Sequence, residues 1–361
     1  MKKIHLAILF GGKSAEHEVS LQSAKSIVEA VDTDKYEIVL VGIDKQGKWL
    51  LNNQSSYLLN ENNPKLISLN KSSTELSVLP GSKEQQLVSS NQDQIGTVDV
   101  VFPVLHGTLG EDGAMQGMLK VMDVPFVGAD VLGSAVGMDK DIMKRLLRDA
   151  GLPIGKFISL RRGESVSYKE AEKQLGTPMF IKPANQGSSV GVHKVHNAQE
   201  FKNAIQDAYQ YDAKVLVEEF IEGREIECAV LGNDDPKASV LGEIIPHHEF
   251  YSYEAKYIDE DGAGLQIPAN LSKDVTANVQ QIAIAVFKTL NCAGMARVDC
   301  FVTKDNQIYV NEINTIPGFT KISMYPKLWE ASGLPYTQLI DTLITLAIER
   351  HDQNKQLKTS F

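Results

Sequence analysis

Met295-Ala-Arg-Val-Asp-Cys-Phe-Val-Thr303 and Gln307-Ile-Tyr-Val-Asn-Glu-Ile-Asn-Thr315, joined by Lys304-Asp305-Asn306, read as the arms of a β-hairpin. Both arms are rich in β-branched and apolar residues, and the joining residues tolerate positive φ. With Asp305-Asn306 as a two-residue turn, Asp299 falls opposite Glu312 and Arg297 opposite Asn314. Side chains alternate along a strand, so these four share one face, while Val298, Cys300, Val310 and Ile313 suit the other face or the core. Two carboxylates, an amide and a guanidinium on one face are a poor stability device. They suit Mg²⁺, which takes hard oxygen ligands, commonly one or two carboxylates plus substrate phosphates. The same residues also fit an exposed cross-strand Arg–carboxylate pair, and the hairpin alone leaves both readings open.

Upstream, Ile4 to Phe10 reads as a strand, Val19 to Val31 as a helix and Tyr36 to Asp44 as a second strand. Val98 to Leu105 is another apolar run, and a helix is expected from Ala114 to Met122. Strands alternating with helices imply a parallel sheet with covered faces, an α/β region. Residues 51–94 are rich in Asn, Ser, Gln and Lys and read as a polar insertion with one short strand pair, Lys65 to Leu69 with Glu75 to Leu79. From about Gly128 the expected order is a helix Lys140 to Ala150, strands Phe157 to Leu160 and Met179 to Pro183, a loop, Val192 to Val195, a helix Ala198 to Tyr209 and a strand Lys214 to Glu218. Beyond Glu219 come further strands, a long loop His247 to Gln266, a helix Val275 to Leu290 and a closing helix Tyr336 to Arg350. The expected domains are 1–128, 129–216 and 217–361.

The chain has 361 residues, 43% apolar and 23% charged, with a net charge of −10. That length accommodates two or three cores. The acidic balance argues against nucleic acid as a partner. No run reaches the roughly 18 to 20 apolar residues of a membrane span. The apolar start stops at Gly11-Gly12-Lys13, too short for a secretory signal. Cys228, Cys292 and Cys300 lack metal-ligand spacing, which points to core filling in a reduced, cytoplasmic setting.

Gly11-Gly12-Lys13-Ser14 after a strand looks like a P-loop, but that motif needs a glycine where Ala7 stands. The glycines instead turn the backbone at the carboxyl end of the strand, where open α/β sheets bind ligands. That puts Glu16 and His17 at the mouth of the crevice. Ile181-Lys-Pro-Ala-Asn-Gln-Gly-Ser-Ser-Val-Gly-Val192 is a better phosphate loop: glycines admit backbone N–H groups, Ser188 and Ser189 add donors, and Lys182 adds charge. Lys214-Val-Leu-Val-Glu-Glu-Phe-Ile-Glu-Gly-Arg-Glu225 is an apolar strand ending in acids, as expected beside an adenine edge and ribose hydroxyls.

Taken together, these segments resemble the ATP-grasp superfamily and, within it, the D-alanine–D-alanine ligase family. The matching stretches run in family order: Leu9 to Ser20, His106-Gly107 with Gly110 to Gly113, Met138-Asp139-Lys140, Lys182 to Gly191, Glu218 to Glu225, Tyr251 to Tyr257, Arg297 to Asp299 and Asn311 to Gly318. The resemblance implies a three-domain fold, an N-terminal parallel-sheet domain followed by α+β nucleotide-binding domains. It implies ATP held by Lys140, Lys182, Ser188, Ser189, Lys256, Asn311 and Glu312. Glu218 and Glu225 would hold adenine and ribose, with Glu219, Phe220 and Ile221 along the base. Asp299, Glu312 and Asn314 would bind two Mg²⁺ or Mn²⁺, and a monovalent cation is an optional addition. Glu16 would grip the ammonium of a first D-alanine with Ser188 and Tyr257. Arg297 and the Gly318 backbone would stabilise the oxyanion, with His106, Ser323 and Met324 helping to bind substrate. Phe250 to Tyr257 opens a loop suited to a lid, and a tyrosine at 257 favours D-alanine over D-lactate as acceptor. A homodimer is the implied assembly. The alternatives are a depsipeptide-forming relative, another carboxylate–amine ligase, and a nucleotide sensor without catalysis, which would not need the oxyanion arginine.

Overall fold

The structure is a computed structural model that describes residues 2–71, 74–82, 85–90, 95–246 and 263–358. Strand β1 (Ile4–Gly11) runs into helix α1 (His17–Ala30) and returns as β2 (Tyr36–Ile43), followed by the antiparallel edge strand β3 (Trp49–Asn52). β1 is flanked in parallel by β2 and by β8 (Val100–Val104). The residues of β1 from Leu6 onward and all of β8 are buried, the apolar run expected of a parallel strand covered on both faces.

The polar insertion departs from the sequence reading. Instead of one strand pair it forms two: β4 (Leu58–Leu59) with β5 (Ser68–Leu69), and β6 (Leu76–Val78) with β7 (Leu87–Ser89). The segments expected to pair with each other each take another partner across a longer connection, residues 60–67 and 79–86, and Glu75 bridges instead to Leu50 of β3. The first pair is fastened by Tyr57, whose ring stands edge-on to Phe10 at 5.5 Å, and by Leu58, Ile67 and Leu69 in the core.

After α2 (Ala114–Val121) comes α3 (Val131–Met138), which the sequence reading passed over, and then α4 (Lys140–Asp149). A four-stranded antiparallel sheet follows, in the order β11-β10-β12-β9. It is built from β9 (Phe157–Arg161), β10 (Met179–Pro183), β11 (His193–Val195) and β12 (Lys214–Glu219), with α5 (Tyr168–Leu175) and α6 (Ala198–Tyr211) packed against it. This sheet closes its own core around Phe201, Ile181 and Val215.

The third sheet has the order β15-β14-β13-β16-β17, from β13 (Arg224–Gly232), β14 (Lys237–Pro246), β15 (Ala263–Gln266), β16 (Gly294–Val302) and β17 (Ile308–Asn314). The loop expected from 247 to 266 therefore ends early, because Ala263–Gln266 pairs with β14. Helices α7 (Lys273–Thr289), α8 (Met324–Ala331) and α9 (Tyr336–Lys355) complete the fold. Tyr325, Trp329 and Leu343 of the last two join the same core cluster as Leu6, Phe10 and Phe102 of the first sheet.

In the β16–β17 hairpin Arg297 pairs with Asn314 and Asp299 with Glu312, as predicted, but by a different route. Thr303 and Gln307 close a three-residue loop, with Asn306 at φ 62°, and a β-bulge separates Asp299 from Cys300. The longer loop and the bulge offset each other in register. The extra residue is Asn311, between Val310 in the core and Glu312 on the site face.

Candidate active site

A cleft of about 280 Å³ lies between the central sheet and the hairpin sheet. Lys140, Lys182, Ser188, Ser189, Glu219, Phe220, Ile221, Glu225, Asn311 and Glu312 all line it, so residues spread over 173 positions of sequence meet in one place. Asp139 caps α4, accepting from the backbone N–H groups of Asp141 and Ile142 at 3.1 Å, which fixes the helix start that carries Lys140. The Lys140 ammonium donates to the Gln186 carbonyl at 2.8 Å and lies 3.3 Å from Glu312. Ser188 and Ser189 both hold positive φ, 51° and 61°, an uncommon backbone for non-glycine residues that recurs in ligand-gripping loops. At the wall, Phe220 is part-exposed beside Phe180, with the Lys194 ammonium 4.7 Å from its ring centre, and the Glu219 carboxylate accepts from Lys156 N–H at 2.6 Å.

Glu218 stands differently from the free wall carboxylate that the sequence suggested. It is buried between two ammonium groups, Lys182 at 2.7 Å and Lys144 at 3.3 Å. Burial works against its charge, but the two lysines outweigh burial and hold its carboxyl below the usual range. Burial in turn pushes the Lys144 ammonium down, with Lys182 adding to the effect. Lys144 was missed in the sequence, although its place one turn after Lys140 puts both on one face of α4.

On the hairpin, Arg297 donates two hydrogen bonds to Asp299, at 2.8 and 2.7 Å, and lies 2.9 Å from Glu227. Asn314 donates to Asp299 at 3.0 Å. Glu227 sits opposite Asp299 on β13, a third carboxylate on this face that sequence reasoning did not single out; the alternation along β13 was the available signal.

Glu16 is the N-cap residue of α1 and is buried. Ser188 donates a short hydrogen bond to Oε1. Gly107 and Gly187 close over the carboxylate: a Cβ would come within 2.7 Å of Oε2 at the first and 3.0 Å at the second. Glu111, also missed, accepts from Gly107 N–H at 2.9 Å. Burial first, then the charge of Glu16, push its carboxyl up to about 8. A smaller space of about 20 Å³ is lined by Glu111, Asn314 and Thr315 together with Lys140, Gly187 and Glu312, which also line the main cleft. The two spaces thus share walls, and Gly187 in the shared wall lies against the Glu16 carboxylate.

His106 is buried, and burial lowers its tendency to protonate. Its Nδ1 lies 3.0 Å from the Ile316 carbonyl, an acceptor only, so Nδ1 carries the hydrogen and Nε2 accepts from Ser23 Oγ at 3.4 Å. Gly318 follows in the same loop. Ser323 Oγ accepts from Thr320 N–H at 2.9 Å, and the Met324 side chain is buried against Gly242. Both side chains are thus engaged within the protein. Lys256, Tyr257 and the rest of the expected lid, Phe250 to Tyr257, lie outside the described residues.

Comparison with known proteins follows the same layout. Residues 5–129 match the family model described as D-ala D-ala ligase N-terminus, and residues 146–345 match D-ala D-ala ligase C-terminus. The chain is 62% identical to the D-alanine–D-alanine ligase of Oceanobacillus iheyensis, over 100% of this chain and 99% of that one. It is 56% identical to D-alanine–D-alanine ligase A of Escherichia coli K12, over the full length of both. Among solved structures, the D-alanine–D-alanine ligase of Coxiella burnetii superposes with a TM-score of 0.86 at 41% identity, over 99% of this chain and 97% of that one. The VanG D-Ala:D-Ser ligase of Enterococcus faecalis gives 0.83 at 37% identity, over 96% and 100%. On these full-length matches, the chain belongs to the D-alanine–D-alanine ligase family, within the ATP-grasp fold.

Proposed function

We propose that the protein joins two D-alanine molecules into D-alanyl-D-alanine, with conversion of ATP to ADP and phosphate. The observation that carries this reading is the shared wall: Lys140, Gly187 and Glu312 line both the large cleft and the smaller space next to it, and Gly187 lies against the Glu16 carboxylate. A carboxylate is a poor acyl donor. One carboxylate oxygen of the first D-alanine attacks the γ-phosphorus, ADP leaves, and an acyl phosphate forms. The amine of the second D-alanine attacks that carbonyl carbon, a proton is lost from nitrogen, and phosphate departs with the C–O bonding pair.

Each residue has a part in this scheme. Glu16, steadied by Ser188 and helped by Tyr257, holds the ammonium of the first D-alanine. Lys140 and Lys182 hold phosphates, while Ser188 and Ser189 present donors to them. Glu225 takes the ribose hydroxyls, with Glu218 to Ile221 and Lys256 around the base. Arg297 and the Gly318 N–H take the oxyanion, and His106 with the Ser323–Met324 backbone shapes the second site. Asp299, Glu312 and Asn314 offer two carboxylates and an amide oxygen, a donor set that fits Mg²⁺ or Mn²⁺. When bound, the metal would neutralise charge on the transferring phosphoryl group. The lid would exclude water, since hydrolysis of the acyl phosphate releases ADP without product. The setting that goes with this reading is a cytoplasmic homodimer supplying dipeptide for peptidoglycan precursors.

The test is phosphate release from ATP with Mg²⁺, with and without D-alanine, with the product identified by mass. Release that depends on D-alanine and yields the dipeptide is expected. ATP binding with neither phosphate nor dipeptide would remove the assignment. Parallel reactions with D-serine and D-lactate as acceptors separate this reading from its depsipeptide-forming and D-serine-using relatives.

A further inference from the structure

Beside the reacting centre, Ile316-Pro317-Gly318-Phe319 carries the backbone donor assigned to the oxyanion, and its peptide groups are tied on both sides. Pro317 has no N–H to place. The Ile316 N–H faces the Glu111 carboxyl, and the Ile316 carbonyl accepts from His106 Nδ1 at 3.0 Å. The Phe319 N–H donates to Ser23 Oγ at 3.2 Å, and the Phe319 carbonyl accepts from the Tyr336 hydroxyl at 2.8 Å. Among the described residues, the Gly318 N–H meets no acceptor.

The polarity of these bonds is consistent around a closed circuit. Phe319 N–H donates to Ser23, Ser23 O–H donates to His106 Nε2, and His106 Nδ1–H donates to the Ile316 carbonyl. The ring starts and ends on either side of Pro317-Gly318 and passes through one serine hydroxyl used as both acceptor and donor. Ser23 is fully buried on α1, a helix of the first sheet, while Tyr336 opens α9, which packs against α1. A serine hydroxyl buried in a helix face normally bonds its own helix's carbonyl; this one reaches across to the loop.

We propose that Ser23 and Tyr336 are positioning residues that aim the Gly318 N–H at the oxyanion. The inference rests on the ligase reading above. Their work is geometric: an oxyanion donor acts only when held about 3 Å from where the charge develops, and loss of one such donor costs roughly 100- to 1,000-fold in rate. Loosening an anchor leaves the donor present but poorly aimed, so a smaller loss, about 10- to 100-fold, is expected at the acyl-transfer step. ATP binding and acyl-phosphate formation do not use the Gly318 N–H and are expected to persist.

The experiment measures phosphate and dipeptide together, with the full-length protein, Mg²⁺-ATP and D-alanine. Wild type is expected to release one phosphate per dipeptide. Ser23→Ala and Tyr336→Phe are each expected to slow dipeptide formation about 10- to 100-fold and to raise the phosphate-to-dipeptide ratio several-fold, as acyl phosphate is lost to water. The KM for ATP is expected to stay within about threefold of wild type, since no ATP contact changes. A structural defect alone lowers both rates together and leaves the ratio at one, so a ratio of one in every variant that folds overturns the proposal. If Ser23→Ala does not fold, Tyr336→Phe decides. Absence of dipeptide from wild type would instead remove the ligase reading itself, and this inference with it.

Discussion

Lys144→Met replaces one ammonium of the Lys182–Glu218–Lys144 group with an apolar side chain of similar length. Removing a partner from a buried ion pair commonly costs about 3–5 kcal/mol, because a charge is left uncompensated. Glu218 here keeps Lys182 at 2.7 Å, whereas Lys144 is the more distant partner at 3.3 Å. The Lys144 side chain is only 3% exposed, so water does little to screen the loss. Part of the penalty is returned because Lys144 itself no longer has to be charged while buried. A net destabilisation of about 1–2 kcal/mol follows. At the site, the remaining ammonium now has one carboxylate to itself, and Lys182 is drawn from phosphate toward Glu218. The KM for ATP is therefore expected to rise about tenfold, equivalent to about 1.4 kcal/mol, with the D-alanine KM nearly unchanged. Urea unfolding and steady-state kinetics at fixed Mg²⁺ measure the two effects. A variant with wild-type stability and wild-type ATP KM would show that Lys144 is a bystander and that Lys182 alone compensates Glu218.

Three further outcomes are expected. Glu312→Gln leaves the fold intact but removes a charge shared by Lys140 and the proposed metal site, so D-alanine-dependent phosphate release should fall at least 100-fold, with the loss only partly recovered by raising Mg²⁺. Glu111 binds its proton more tightly folded, at about 8, than unfolded near the ordinary 4.5, so its stabilising contribution is full below about 4.5 and is lost as pH rises through 8. Glu111→Gln should accordingly gain stability relative to wild type between pH 5 and 8.5 in denaturation curves, and a parallel pair of pH profiles would contradict the assignment. Gly11→Ala sets a Cβ at φ 91° against the Ile43 carbonyl oxygen, and a loss of about 3 kcal/mol or more is expected by thermal unfolding.

The hairpin shows how far sequence carries and where it stops. Alternation correctly put Asp299 opposite Glu312, because the buried faces of β16 and β17 fix which residues look inward. It could not locate the bulge, since Asn311 and Asn306 are both compatible with several turn geometries, and the facing of Asn311 follows from the bulge alone. Helix α3 escaped because Val-Leu-Gly-Ser-Ala-Val-Gly-Met has no polar stripe and two glycines, so neither periodicity nor propensity marks it. Ser23 and Lys144 escaped for a different reason. Each lies on an ordinary helix, and its importance comes from partners 296 and 74 residues away in sequence, Phe319 and Glu218. The short insertion strands were ambiguous because each carries two or three residues, too few for period-two patterning to select a partner.

The distribution of cores sets how this molecule can move. The first sheet and the last two helices share one continuous apolar cluster, whereas the central four-stranded sheet closes a separate one around Phe201 and Val215. Shearing the first group internally would expose buried side chains, but tilting the central sheet as a body would not, because its own core travels with it. On the proposed function, opening and closing around a nucleotide would fall to this small lobe, moving against the rest of the molecule. Glu16, the hairpin and the Gly318 loop lie outside that lobe, while Lys182 and the Ser188–Ser189 turn belong to it. Ser188 bonds Glu16 across that boundary, so on the proposed function a closing lobe would complete the amino-acid pocket as it grips phosphate, and the two grips would form in a single movement.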